Sequence, residues 1–313
     1  MCKNKVQFQK GLSLPDFMGK FGTEAQCEAA LETAKWPDSF SCAQCGHNSF
    51  SRLTRGRAKR QCNKCKHQTS LMSGTIFHDT KLPLTKWFLG MHLMTQSKNG
   101  ISQMELARQL GIGINAAALM YHKLAQVMLE RDEDKPLSGD IEMDDAYWGG
   151  KSSGGKRGRG APKKTPFLAA ISKVDDKPNQ IKLSVIKDFR TDEIKQWSGK
   201  NLKAGTSVLS DGLACFRGVE KAGFSHHFLV VGDSRDAKKT SAFDWVNTIL
   251  GNLKTALAGT FHKLSAHHLQ RHLATFQYRF NRRYRLKDIL PRLVWVALRT
   301  PPMPRRLLTS DAY

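Results

Sequence analysis

Two cysteine pairs, Cys42-Ala-Gln-Cys45 and Cys62-Asn-Lys-Cys65, constrain this chain more than any other feature, and Cys62 follows Cys45 by 62 − 45 = 17 positions. Each C-x-x-C bend offers two thiolates from one tight turn. A tetrahedral zinc ion takes four such ligands at about 2.3 Å, so the spacing predicts a zinc ribbon closed by Cys42, Cys45, Cys62 and Cys65. The alternative is a pair of disulfides. Those need an oxidising compartment, whereas the opening Met1-Cys2-Lys3-Asn4 leads into no secretory apolar stretch and implies a reducing interior. Cys27 and Cys215, among apolar neighbours, read as small core residues.

Charge narrows the partner class. Fifty Lys and Arg face 27 Asp and Glu among 313 residues, a formal net charge of +23, with a pI of 9.9. Such a field attracts polyanions. No apolar run approaches the roughly 20 residues that cross a bilayer, and no basic amphipathic helix stands alone, so nucleic acid is favoured over a membrane surface. Charge does not decide between DNA and RNA. Inside the ribbon, the run from Ser51 to Gln61 predicts a hairpin with a basic face, making Arg55, Arg57, Lys59 and Arg60 candidates for phosphate contact.

At roughly 150 residues per domain the length allows about two domains and smaller modules. The expected organisation is an N-terminal helical segment (1–37), the zinc ribbon (38–82), a helix-turn-helix region (83–135), a larger mixed α/β domain (136–290) and a basic tail (291–313) whose cues are Pro301, Pro302, Pro304, Arg305 and Arg306. Ile101 to Gly111 has helical apolar spacing closed by glycine, and Asn115 is placed to cap a second helix from Ala116 to Met128. Such a pair either reads the major groove, presenting Asn115, Tyr121, His122 and Lys123, or is an ordinary helical hairpin.

The larger domain opens with β-rich segments at Ile141–Asp144, Pro166–Val174 and Ile181–Phe189. A loop of glycines and basic residues, containing Lys156, Arg157 and Arg159, separates the first two; it is either a solvated connection or a phosphate clamp. A helix over Asp192–Trp197 follows, then a strand over Thr206–Ser210 ending at Asp211, a helix over Leu213–Ala222, a strand over His226–Val231 and a long helix from Phe243. That order predicts a ribonuclease-H-like mixed sheet with helices, which sets Asp144 beside Asp211. Taken singly, each aspartate is equally a turn former. Together they suit magnesium, a hard cation that prefers oxygen ligands and promotes in-line phosphodiester displacement.

Several separated motifs then converge. Gly139-Asp140-Ile141-Glu142-Met143-Asp144-Asp145-Ala146-Tyr147-Trp148-Gly149-Gly150, Leu209-Ser210-Asp211-Gly212, the Trp245 to Lys254 segment and the Phe276 to Arg283 segment resemble the transposases of bacterial insertion sequences in the IS fifteen-ninety-five group, which carry the domain called ISXO-two-like. The resemblance covers essentially the whole chain. It implies a catalytic set of Asp144, Asp211, Asn247 and Lys254, structural Zn²⁺, catalytic Mg²⁺ or Mn²⁺ held by Asp144, Asp211 and Asn247, and double-stranded DNA partners in the form of terminal inverted repeats and target DNA. It also implies a homo-oligomer when two ends are held together, and a bacterial cytoplasmic location at the nucleoid.

Most related DNA transposases have Glu at the third position. Asn247 still offers a carbonyl oxygen but removes a charge worth up to about 4 kcal/mol at 4 Å and an effective dielectric of 20. Asp145 is expected on the opposite strand face from Asp144, leaving Asp244, one helical turn before Asn247, as the spare ligand. Lys254 lies two turns beyond Asn247, where a helical lysine is ordinarily a solvated side chain and the family pattern makes it a DNA contact.

His268 and His272 have a metal-compatible spacing without the rest of a metalloprotease signature. His226, His227 and His262 are expected in local hydrogen bonds or at DNA. The run from Tyr278 to Tyr284 is expected to bury its rings and aim Arg279, Arg282 and Arg283 at DNA. The competing functional classes are a non-catalytic zinc-ribbon/helix-turn-helix DNA-binding regulator and a structure-selective nuclease.

Overall fold

Hydroxyl caps start the first two helices. The Ser13 and Thr23 side chains accept the Asp16 and Gln26 amides, setting α1 (Leu14–Phe21) and α2 (Glu24–Lys35), and Gln26 completes a capping box with Thr23. The structure, a computed structural model, describes residues 11–53, 58–149, 164–230, 241–261 and 264–309. It divides into two compact units, one of residues 1–128 and 282–313, the other of residues 129–281.

In the first unit, β1 (Phe50–Arg52), β2 (Lys59–Cys62) and β3 (Gln68–Ser70) form an antiparallel sheet with β2 central. Trp36, Phe40 and Phe50 pack beside Cys42 and Cys62. The helix α3 (Leu84–Gln96) has no cap of its own; Glu24 reaches across from α2, and its two carboxylate oxygens accept the Leu84 and Thr85 amides at 2.9 and 3.2 Å. Then come α4 (Gln103–Leu110), capped by Ser102 and closed by Gly111 at φ 60°, and α5 (Ile114–Glu133).

The expected helix pair is therefore present, but its details differ. The second helix begins at Ile114, with the Gly113 carbonyl accepting the Ala116 and Ala117 amides, so Asn115 lies inside the first turn and does not precede it. Tyr121 is buried, His122 bonds Gln103 at 3.0 Å, and Lys123 is half-buried with its ammonium directed to the Ile76 carbonyl. The middle of α5 is thus turned to the protein, because its apolar residues recur on too many faces to leave a wide polar stripe.

The second unit carries β4 (Asp140–Trp148), β5 (Thr165–Val174), β6 (Lys177–Val185), α6 (Thr191–Asn201), β7 (Ser207–Ser210), α7 (Arg217–Lys221), β8 (Ser225–Phe228), α8 (Asp244–Thr260) and α9 (Ala266–Phe280). The sheet order is β6-β5-β4-β7-β8. The first three strands are antiparallel neighbours, and β4–β7 and β7–β8 are parallel. This is the ribonuclease-H-like arrangement that the order of segments predicted.

Asp175 and Asp176, at φ 49° and 55°, make the two-residue turn of the β5–β6 hairpin. Positive φ at both central positions is what matches the turn to the strand twist. The sheet is covered on both faces. Ala146, Phe167, Ala169, Ile171, Ile181 and Leu183 pack under α8 and α9, whereas Ile141, Met143, Leu168, Ala170 and Val208 pack with residues of α6 and α7. Alternation along β4 therefore sends Glu142 and Asp144 to the side of α8.

The outer edge of β6 is closed by side-chain amides of the segment from Gln270 to Asn281. Gln270 accepts the Val185 amide and donates to the Leu183 carbonyl, Gln277 accepts the Leu183 amide, and Asn281 both accepts the Ile181 amide and donates to its carbonyl, all between 2.6 and 3.1 Å. An open row of strand donors and acceptors is thereby satisfied without another strand. Near the other end of the unit, buried Lys182 donates to the Glu133 and Lys135 carbonyls at 2.8 and 3.2 Å, closing the C-terminal turn of α5.

The C-terminal region corrects the expected basic tail. Residues from 282 return to the first unit, where α10 (Ile289–Ala297) buries Ile289, Leu290, Leu293, Val294, Val296 and Ala297 and packs on α2 and α3. Pro291 sits in its first turn, where a missing amide costs no helical bond. Exposed basic character is kept by Arg292, Arg299 and the short α11 (Arg305–Thr309) with Arg305 and Arg306.

Replacing Gln277 with Leu is expected to leave the Leu183 amide buried without an acceptor and to lower unfolding free energy by about 1–3 kcal/mol, read from urea midpoints. Burial pulls the Lys182 ammonium down from 10.5 to about 8, against the opposing pull of Asp132 and Glu133. Below about pH 8 folded and unfolded chains both carry this charge and the burial cost is fully present; between about 8 and 10.5 the folded amine discharges first, so stability rises with pH. The shift corresponds to roughly 3 kcal/mol. Unfolding midpoints followed across that window are expected to climb more steeply in the unmodified chain than in Lys182→Met, and equal slopes would remove Lys182 as the cause.

Candidate active site

The two C-x-x-C bends are built alike. The Gly46 amide donates to the Cys42 carbonyl and the Lys66 amide to the Cys62 carbonyl, while the Cys42 and Cys62 amides donate to the carbonyls of His47 and His67. Gly46 and Lys66 take the left-handed conformation, at φ 67° and 62°, that each bend requires. All four sulfurs lie within 4.8 Å of one another, with Cys42–Cys65 at 3.5 Å and Cys45–Cys62 at 3.6 Å. Disulfides would need about 2.05 Å, and a tetrahedral zinc with bonds near 2.3 Å spaces its sulfurs by about 3.8 Å. The donor set and its spacing fit Zn²⁺. Burial pushes the Cys62 thiol up, but the amides of Cys65 and Lys64 and the neighbouring thiols outweigh it and draw it down to about 6.

The second group is acidic. β4 pairs with β7 up to Met143 and Ser210, so the next residues, Asp144 and Asp211, stand side by side where the pairing ends. Carboxylate oxygens of Asp144, Asp145 and Asp211 all come within 4.8 Å of one another, and all three residues are half-buried. The Asp145 amide donates to Asp144 Oδ1 at 2.9 Å, and the Leu213 amide to Asp211 Oδ1 at 3.0 Å. Ser210 Oγ donates to the Asp211 carbonyl and meets His226 Nε2 at 2.8 Å, and His226 Nδ1 faces Glu220 at 3.2 Å.

Asp145 corrects the expectation of an opposite face. Its carboxylate joins those of Asp144 and Asp211 just past the point where β7 stops at Ser210 while β4 runs on to Trp148, which leaves that flank of β4 without a strand neighbour. Asp244, expected as the spare ligand, is not a member of this group. Three hard oxygen donors at this spacing fit a divalent cation such as Mg²⁺. Among the described residues these two are the groups of three or more His, Cys, Asp or Glu side chains able to hold a metal. His268 and His272 belong to neither: His268 meets Arg271, and buried His272 packs edge-on against Phe261.

The helix α8 is tied to the same strand. The Val246 amide donates to Glu142 Oε2 at 2.9 Å, and Lys173 lies 3.3 Å from Oε1. Burial pushes the Glu142 carboxyl up, opposed by the Val246 amide and the Lys173 ammonium. Val246, Ile249, Leu250, Leu253 and Leu257 make the buried stripe of α8. Asn247 and Lys254 follow Val246 and Leu253 by one residue each, so both are exposed along one margin of that stripe.

Residues 136–281 match the family described as the ISXO2-like transposase domain, and residues 22–68 match the transposase zinc-ribbon domain. Both families belong to one group, and together the matches take in more than half of the chain. The chain belongs to the IS fifteen-ninety-five transposase group. A 131-residue stretch of this family member is 24% identical to an uncharacterized protein in transposable element ISH50 of Halobacterium salinarum, covering 41% of this chain and 42% of that protein, so the match spans about two fifths of the relative's length. Among solved structures, the Mos1 strand transfer complex aligns over 63% of this chain and 76% of that chain at 11% identity and TM-score 0.23. A pre-cleavage Mos1 transpososome aligns over 63% and 77% at 10% identity and TM-score 0.21. The ribonuclease-H-like fold rests on the strand order β6-β5-β4-β7-β8.

The basic residues of this transposase-group chain divide by burial. Arg60, expected at DNA, is 2% exposed and paired to Glu32 at 2.8 Å and Glu28 at 3.4 Å, because it shares the inward face of β2 with Cys62. Arg282 is likewise buried. Arg283 lies over the Tyr284 ring and donates to its hydroxyl, and Arg279 and Lys59 are half-buried. Arg55, Arg57, Lys156, Arg157 and Arg159 lie outside the described residues, as does His262. Reading sequence by charge alone missed the burial of Arg60, although strand alternation with Cys62 carried the signal.

Metal analysis of the purified family member is expected to find one zinc ion per chain, and Cys62→Ser is expected to abolish it. A variant that keeps full zinc would remove Cys62 from the site.

Proposed function

We propose that this chain is a DNA transposase that holds the terminal inverted repeats of its insertion sequence, cleaves at the ends and joins the freed 3′-hydroxyls to target DNA. The observation that carries the reading is the convergence of Asp144, Asp145 and Asp211 where β4 and β7 part. Membership of a transposase group supports the reaction class.

In this reading Asp144, Asp145 and Asp211 hold the divalent cations, with the Asn247 amide oxygen completing the set and Lys254 binding a phosphate beside the scissile bond. When bound, such cations lower the pKa of an attacking hydroxyl and stabilise the oxygen that leaves. The carboxylates fix the position of the attacked phosphorus. In the first step water attacks it and the P–O3′ bond breaks, freeing the element's 3′-hydroxyl. In the second that hydroxyl attacks a target phosphorus, a target P–O3′ bond breaks and its 3′-hydroxyl leaves. Bond count is conserved, and no protein–DNA covalent intermediate is needed. The formal charge of +23 supports a nucleic-acid partner and membership of a transposase group supports double-stranded DNA as that partner, with the ribbon and the α4–α5 pair as end-binding modules. Two ends must be held together, so the active species is a dimer or larger, acting in the bacterial cytoplasm at the nucleoid.

Incubating the chain with its own element's end fragments, a target plasmid and Mg²⁺ is expected to yield cleaved and joined products. Asp144→Asn and Asp211→Asn are each expected to lower both products at least 1000-fold while end binding in a mobility-shift assay stays within threefold. Binding without cutting by the unmodified chain would instead identify a regulator, and cutting without joining a nuclease.

A further inference from the structure

We propose that Glu142 is a positioning residue: it ties the N-terminus of α8 to β4 and thereby sets the placement of Asn247 relative to the aspartate group. The inference rests on the transposase reading for its kinetic consequences, but the tie itself is geometric.

The residue at the N-cap of α8, Phe243, provides no side-chain hydrogen bond, so the amides of the first turn look elsewhere for acceptors. One of them, Val246, donates to Glu142 Oε2 at 2.9 Å. Glu142 is 1% exposed, and its other oxygen lies 3.3 Å from Lys173, which also reaches Asp176 at 3.7 Å. The Trp245 indole donates to the Asp176 carbonyl at 2.8 Å. The first turn of α8 is therefore held at two points, one on β4 and one on the β5–β6 turn.

Glu142 adjoins the candidate catalytic set through its own strand and through the Val246 amide. Asp144 lies two residues along β4 on the same face, about 6.6 Å away along the strand. Asn247 is the residue after Val246. Removing the carboxylate would free the helix start, which has no cap of its own, while β4 stays locked between β5 and β7. The distance between Asp144 and Asn247 would then be the quantity that changes. An apolar replacement of similar size fills the volume but supplies no acceptor, whereas Gln keeps an acceptor oxygen for Val246.

The test compares the full-length chain with Glu142→Gln, Glu142→Leu, Asn247→Ala and the Glu142→Leu/Asn247→Ala double variant. Amide hydrogen exchange, measured without DNA or metal, is expected to show Val246 exchanging at least 10-fold faster in Glu142→Leu and within threefold of the unmodified rate in Glu142→Gln. With end DNA and Mg²⁺, Glu142→Leu is expected to lower kcat for end cleavage at least 30-fold, leave KM for the DNA within threefold and raise the Mg²⁺ concentration for half-maximal rate at least fivefold. Glu142→Gln is expected to recover most of that rate. The double variant is expected to lose no more than Asn247→Ala alone.

Unaltered Val246 exchange in Glu142→Leu, or losses that multiply in the double variant, would overturn the proposal. Should the unmodified chain cut no DNA, the transposase reading falls, and the tie is decided by the exchange rates alone. Should Glu142→Leu fail to fold, Glu142→Asp, which retains the charge but falls short by a methylene, is held to the same expectations.

Discussion

Parallel pairing between β4 and β7 reaches Met143 and Ser210 and goes no further. Everything at the candidate active site follows from that unequal ending. Up to this point each residue of β4 has a neighbour on both sides and a fixed face. Beyond it β4 continues against β5 alone, and the chain leaving β7 is free to turn back at Asp211 and Gly212. A Cβ on Gly212 would stand 2.6 Å from Val230 Cγ2, so the return path is narrow and suits a residue with no side chain. Carboxylates from the end of one strand and the flank of the other share a small volume there, in the crevice at the carboxyl ends of parallel strands where open α/β sheets commonly place ligands.

Crowding three carboxylates is electrostatically unfavourable unless positive charge balances them. Two residues back along β4, Glu142 and Lys173 form a buried pair, and the Val246 amide donates to the same carboxylate. A buried pair of this kind is weak evidence of stabilisation in itself, because desolvation offsets much of the attraction. Its geometric effect is clearer than its energetic one: it sets which residue of α8 stands beside which residue of β4. At the opposite end of the chain the four cysteines solve a related problem with soft ligands, letting two matching bends and three short strands form a module whose apolar cluster is mainly Trp36, Phe40 and Phe50.

How much of this could be read from residues alone depended on the range of the signal. The cysteine quartet was legible because both bends are local. Asp144 and Asp211 were legible because each ends or interrupts a β-branched apolar run, and the order of those runs already implied adjacent strands. The β5–β6 turn was missed because Asp175 and Asp176 take positive φ where Asn-Gly is the usual cue, so the third strand starts at Lys177 and not at Ile181. The helix α10 was hidden by Pro291 and the prolines after it, and its burial against α2 and α3 depends on partners more than 190 positions away. Asp145 was misplaced because alternation fixes the direction of Cβ, not the reach of a side chain at the point where a neighbouring strand ends. Arg60 shows the reverse error, in which a charge was given more weight than its position on the strand.

The amides of Gln270, Gln277 and Asn281 occupy the hydrogen-bonding groups along β6 that a further strand would use. Growth of the sheet on that flank is therefore blocked, so two copies of this chain cannot join there into a shared sheet. Any contact between copies has to draw on other surfaces, and one route to fibrils is closed.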